Sequence, residues 1–161
     1  MASLRRELVV DTRPADVWAA IRDVGAIHTR LARGFVTDTQ LDGDARLVTF
    51  ANGVTVRERI IDMDDARRRL AYAVVEWRAT HYSASFEVFD ESGGRSRVVW
   101  IVDLLPNELA ELVGKSMDLG VAAMKRTLER YDKPSDLVRS STRREEPDDG
   151  DRSDSVHRER R

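Results

Sequence analysis

The sequence predicts an α+β domain in which a long C-terminal helix packs on an antiparallel sheet of about seven strands. The first of two observations is the stretch Pro106–Tyr131, where Leu109, Leu112, Val113, Met117, Val121, Met124 and Leu128 recur at three- and four-residue steps. Such spacing places one apolar stripe along a helix. The second is the stretch from Phe35 to Leu104, which is dense in β-branched and aromatic residues and punctuated by Asp42-Gly43, Asn52-Gly53 and Gly93-Gly94. That pattern reads as strands joined by tight turns, with a face for the helix stripe to cover.

Composition narrows the classes. The chain has 161 residues, enough for one domain with its own core. A formal charge of -2 gives no global attraction to nucleic acid or to an anionic membrane. Basic residues are overwhelmingly arginine, with lysine only at 115, 125 and 133, which reads as codon usage rather than phosphate recognition. With no cysteine, disulfides and thiolate chemistry are excluded, in keeping with a reducing compartment. MASLRRELVV runs straight into Asp11 and Arg13, so neither a signal peptide nor a bilayer span is expected, and a cytoplasmic location is the default. No nucleic-acid partner and no membrane insertion are expected. Monomer and homodimer both stay open, because Val98, Trp100 and Val102 on one face of the last strand are matched by Val99 and Ile101 on the other.

In chain order, Leu4–Asp11 reads as a first strand and Thr12 as a cap for a short helix over Pro14–Asp23, with Val17, Trp18 and Ile21 on one face. A second short helix is expected over Val24–Arg33, with Ile27 and Leu31 four apart. Strands follow at Phe35–Leu41 and Arg46–Ala51. Reading Asn52-Gly53 as a two-residue turn pairs Ala51 with Val54, Thr49 with Val56 and Leu47 with Glu58, all facing inward. Arg46, Val48, Phe50, Thr55, Arg57 and Arg59 then form a wet outer face. After a polar turn at Asp62–Arg68, Arg69–Trp77 places Tyr72 beside Glu58, with Val74 further along. In Thr80–Phe89, Tyr82, Ala84, Phe86 and Val88 alternate with polar residues. A three-residue loop before Ser96–Leu104 sets Trp100 opposite Phe86, the register preferred over a two-residue loop that would set Ile101 there. Asp103 is a candidate cap for the long helix. Asp132–Arg161 is charged and poor in apolar residues, so a disordered tail is expected after a domain spanning 1–131.

This order of elements resembles the SRPBCC superfamily, which includes START, birch-pollen-allergen and polyketide cyclase-like proteins, and above all its bacterial polyketide cyclase/dehydrase and lipid-transport branch. The likeness is carried by Pro14-Ala15-Asp16-Val17-Trp18-Ala19-Ala20-Ile21, Val56-Arg57-Glu58-Arg59-Ile60 followed by Asp62, Leu70-Ala71-Tyr72, Val98–Trp100 and Met124–Glu129, over roughly residues 4–131. The resemblance implies a helix-grip fold, in which a curved sheet wraps the last helix around a cavity for lipids, polyketides or other hydrophobic ligands. It implies no cofactor. Activity does not follow from the fold alone.

On that reading the sheet residues expected against a ligand are Val56, Glu58, Tyr72, Val74, Tyr82, Phe86 and Trp100. The helix would add Val113, Met117, Gly120, Val121 and Met124. Glu58 is the candidate general acid or base, because a carboxylate buried without a partner favours its neutral form. Tyr72 is the second catalytic candidate, and its bland alternative is a hydrogen bond to a structural Glu58. Tyrosines and tryptophans offer an apolar body with one polar handle, and serve equally well as core packing. Trp18 reads as core, and the methionines as adaptable wall or filler. His28, His81 and His157 have no metal-ligand spacing, and no nucleophile elbow, P-loop or dinucleotide motif occurs. Three functions remain: a binder of a hydrophobic small molecule, a cofactor-independent cyclase or dehydratase using Glu58, or a protein-interaction module such as the superfamily's co-chaperone-like members.

Overall fold

The computed structural model describes residues 2–131; the expected tail lies outside the described residues. Strand β1 (Ala2–Val10) leads into helix α1 (Pro14–Arg22) and a five-residue π-type turn at Ile27–Leu31. Six strands follow: β2 (Val36–Asp42), β3 (Ala45–Phe50), β4 (Thr55–Asp64), β5 (Arg69–Val75), β6 (His81–Glu91) and β7 (Arg95–Leu105), before helix α2 (Ala110–Tyr131). All seven strands form one antiparallel sheet in the order β1-β7-β6-β5-β4-β3-β2. The fold is the helix-grip arrangement. Leu70, Val98, Val102 and Leu104 on the sheet share one core with Met117, Met124 and Leu128 of α2, each of them no more than 2% exposed.

The β6–β7 hairpin has the preferred register, Phe86 opposite Trp100, around the three-residue turn Ser92–Gly94. The β3–β4 hairpin does not. Arg46 pairs with Glu58, Val48 with Val56 and Thr49 with Thr55, one residue out of step with the expected register. The loop is Ala51-Asn52-Gly53: Phe50 N–H donates to Val54 O, Gly53 N–H donates back to Phe50 O, and Gly53 takes φ +85°. A three-residue loop of this kind needs its left-handed residue last, where the glycine stands. The slip exchanges the faces. Arg46 and Val48 are buried, whereas Leu47 and Thr49 turn outward and Val54 is 44% exposed.

Four smaller expectations also change. The segment Val24–Arg33 holds only the π-type turn, although Ile27 and Leu31 are buried as expected. Thr12 does not cap α1. Its hydroxyl donates to Leu128 O at 3.1 Å while its carbonyl accepts from Ser96 Oγ at 2.6 Å, tying β1, β7 and α2 together. Asp103 stays within β7, opposite Ser3 and Ser83, and Pro106 holds the cap position of the 3-10 turn Asn107–Leu109 that precedes α2. Leu112, counted in the helix stripe, is 49% exposed. Trp18 is core, as expected, and its indole N–H donates to Asp65 Oδ1 at 2.8 Å.

The turn makes a clean test of the hairpin register. A Cβ on Gly53 would meet nothing within 4 Å, so Gly53→Ala costs only the left-handed backbone term, about 1–2 kcal/mol. Urea denaturation should show that loss with an unchanged m-value; a neutral substitution would contradict the three-residue loop.

Candidate functional site

Between the inner face of the sheet and α2 lies a cavity of about 590 Å3. Its walls come from β2–β7, α2 and the π-type turn. Residues on the wall with substantial exposure, Val54, Leu112 and Leu119, mark an opening to solvent, with Arg78 and Lys115 also on the lining. Further in, the wall is apolar and aromatic. Phe86 stacks on Trp100 with centroids 4.9 Å apart and on Tyr72 at 6.0 Å. Phe35 meets Phe50 edge-on at 5.2 Å.

Helix α2 can come close to this aromatic wall because it carries glycine at 120. A Cβ there would stand 3.0 Å from Trp100 Cζ3 and 3.1 Å from Phe35 Cε1. Real Cβ atoms rarely come that near, so the glycine admits the two rings.

Besides Arg78 and Lys115, the charged residues on the lining are Arg46 and Glu58, which form a buried pair. Arg46 Nε donates to Glu58 Oε2 at 2.7 Å, with side-chain exposures of 2% and 8%. Arg46 Nη1 also reaches Val24 O at 3.4 Å, and the guanidinium lies 5.3 Å from the centre of the Tyr72 ring. Glu58 is therefore neither unpaired nor bonded to Tyr72. Directly across from Glu58 on β5 is Val74, and Tyr72 stands opposite Ile60, one diagonal step away on the same face. The Tyr72 hydroxyl instead accepts from Trp100 Nε1 at 3.1 Å. Burial, and then the charge of Glu58, push the Tyr72 phenol well above its usual range. The same two causes, in the same order, raise Tyr82. Both phenols are held in the neutral, donating form.

Of the residues expected against a ligand, Val56, Glu58, Tyr72, Val74, Tyr82, Phe86 and Trp100 all line the cavity, as do Val113, Met117, Gly120 and Met124. Val121 does not; it is partly buried against the core elsewhere on α2. The shifted register hid Arg46, Val48 and Phe50, and Phe35 and Trp77 were also missed. A signal for Arg46 was present: under a three-residue loop it is the one cation that falls directly across from Glu58. His28 and His81 do not line the cavity. His28 Nδ1 is buried without a partner, and His81 Nε2 lies 3.2 Å from Ser83 Oγ.

A helix-grip sheet with a largely apolar internal cavity defines a START-like protein. The chain belongs to the family described as polyketide cyclase / dehydrase and lipid transport, whose model matches residues 1–130. Among solved structures it is similar to a protein from Thermobifida fusca, at 28% identity and a TM-score of 0.65, covering 81% of this chain and 93% of that one. It is also similar to the Zhui aromatase/cyclase from Streptomyces sp. R1128, at 19% identity and a TM-score of 0.65, covering 80% and 94%. A START superfamily protein from Mycobacterium smegmatis gives 8% identity and a TM-score of 0.68, covering 80% and 98%. A comparison with curated proteins gave no match. Among the described residues no helix is long and apolar enough to cross a membrane.

Two tests address the polar group. Removing one partner of a buried ion pair strands the other charge, so Arg46→Met and Glu58→Leu should each cost about 3–5 kcal/mol, while the double variant should cost much less than their sum. Equal, additive losses in chemical denaturation would contradict the buried pair. For the phenols, a folded pKa above the unfolded one means stability is complete below about pH 10 and is lost as pH rises further. Absorbance titration should show Tyr72→Phe and Tyr82→Phe leaving the phenolate signal near pH 10 unchanged until the chain unfolds.

Proposed function

We propose that this protein binds a hydrophobic small molecule, a lipid, polyketide or compound of similar size, between the sheet and α2. The observation behind this reading is the cavity itself: about 590 Å3, walled by apolar and aromatic side chains, and open at one end. Its volume falls in the range of small-molecule sites, which are mostly apolar with a few placed polar groups. Tyr72, Phe86 and Trp100 would lie flat against a ligand, while Met117 and Met124 would adapt to its shape.

A second reading, a cofactor-independent cyclase or dehydratase, has one specific observation in its favour. Glu58 reaches the cavity beside a neutral Tyr72, and the two could act on a carbonyl compound as base and acid. The ion pair with Arg46 weighs against it, since Arg46 Nε at 2.7 Å already occupies one of the two carboxylate oxygens. Binding is therefore the primary reading. If chemistry occurs, Glu58→Gln should abolish turnover of a carbonyl substrate while ligand retention persists.

Native mass spectrometry of gently purified protein, followed by denaturing extraction, should find an apolar adduct. Ser116 is a half-buried lining residue of α2, and Ser116→Trp should fill the opening at little cost to the fold. That variant should lose the adduct by about tenfold or more with a melting temperature within a few degrees of the parent. Full occupancy in Ser116→Trp would place the ligand elsewhere.

A further inference from the structure

We propose that residues 132–151 of the same chain dock back along α2 and cover the cavity opening; the regulation of ligand entry that follows rests on the binding reading above. The surface that takes them is a stripe on the helix. Leu112, Lys115, Leu119, Ala122 and Arg126 recur at alternating three- and four-residue steps and are all exposed, so one unpartnered face runs from the opening toward the end of α2. Leu112, Lys115 and Leu119 belong to the cavity lining, together with Val54 and Arg78. At 65% exposure, Leu119 is the most exposed large apolar residue among those described. The stripe carries two cations and no carboxylate. The three carboxylates of α2 already have partners: Asp118 meets Arg6 at 2.6 Å, Glu129 meets Lys125 at 3.2 Å, and Glu111 meets Lys115 at 2.7 Å. The last is an exposed pair, which contributes little and leaves Lys115 open to a second anion. Arg78 and Arg126 have no acidic partner among the described residues.

Reach, order and charge name the occupant. Residues 132–161 start from Tyr131, at the foot of the stripe. Leu119 lies twelve residues back along the helix, about 18 Å. Leu137 and Val138, six and seven residues beyond Tyr131, span about 20 Å when extended. They are the one adjacent apolar pair in this segment, and a chain that doubles back brings them to Leu119 and Ala122, with Asp136 toward Arg126. Residues 145–151 read EEPDDGD, five carboxylates with no cation among them, and have the length to reach Lys115 and Arg78. Acid, apolar pair and acid along the segment thus meet cation, apolar residues and cation along the surface.

The docking is tested without ligand. The chain has no cysteine, so Gly150→Cys in the full chain gives a single site for a nitroxide label. Trp77 precedes Arg78 on the cavity lining, whereas Trp18 is bonded to Asp65, the length of β4 away from Val54, about 30 Å. The expected result is a Trp77 indole N–H signal broadened by the label and a Trp18 signal left sharp, independent of protein concentration, with the broadening lost at about 1 M salt. Equal broadening of the two signals, or none at either, overturns the docking, and a dimeric mass in sedimentation would then give the stripe to a second copy of the chain. The effect on ligand is read separately. Replacing the five carboxylates together (Glu145→Gln, Glu146→Gln, Asp148→Asn, Asp149→Asn, Asp151→Asn) should tighten calorimetric binding of 2-naphthol by about threefold or more, because a site open for part of the time binds in proportion to its open fraction. Unchanged affinity overturns the regulation. If 2-naphthol binds neither chain, the binding reading fails and the regulation with it, while the Trp77 signal still decides whether the segment covers the opening.

Discussion

Moving an arginine and a glutamate out of water costs several kcal/mol for each ion, and only close pairing in good geometry offsets it. Arg46 and Glu58 meet that condition at 2.7 Å with almost no exposure, and much of the local structure follows. The pair sits at directly opposed positions of β3 and β4, so it holds the hairpin in one register. A slip of one residue would send Arg46 to the outer face and leave Glu58 buried alone. The register in turn turns Val48 and Phe50 toward the cavity and the threonines 49 and 55 toward solvent, where their hydroxyls lie 2.9 Å apart. The guanidinium also covers the face of Tyr72, whose hydroxyl takes the Trp100 indole proton. A chain of contacts thus runs from β3 through β5 to β7.

The cavity exists because sheet and helix are held near each other without closing. At one end, the Thr12 hydroxyl on Leu128 O, with Ser96 on the Thr12 carbonyl, pins α2 to β1 and β7. Thr127 adds a link by accepting from Arg33 N–H at 3.0 Å while donating to Ala123 O. Near the middle of α2, Gly120 lets Trp100 and Phe35 approach the helix backbone. Between these, small and flexible side chains face a wall of large rings, and the space left is lined mostly by apolar side chains, with the Arg46–Glu58 pair inside and Arg78 and Lys115 also on the lining.

The long helix, the strand order and the β6–β7 register were legible in the sequence, each for a clear physical reason. Tyr82, Ala84, Phe86 and Val88 alternate without interruption, and Trp100 opposite Phe86 puts Val98, Val102 and Leu104 on the same face as that row. The β3–β4 hairpin was not legible by the same rule. In the segment 46–51 both faces carry apolar residues, so the register rested on reading Asn52-Gly53 as a two-residue turn, which put Arg46 on the outer face. Asn52-Gly53 then fits either a two-residue turn or, with Ala51, a three-residue loop; the demand to neutralise Glu58 selects the second. The π-type turn at Ile27–Leu31 eluded the helical pattern because it is a single wide turn stabilised by its two buried side chains. Most of the cavity wall was still found, since eleven of the twelve expected residues lie on elements whose facing was right; Val121 is the exception.

The chain carries three tryptophans that report on the cavity with a built-in control. Trp77 and Trp100 line it, whereas Trp18 lies outside, bonded to Asp65. The most direct measurement is therefore the indole N–H region of a nitrogen–proton correlation spectrum during titration with 2-naphthol. Saturable shifts of the Trp77 and Trp100 signals, with Trp18 unmoved, are the result this account predicts. Shifts at Trp18 alone, or equal drift of all three, would contradict the cavity as the binding site.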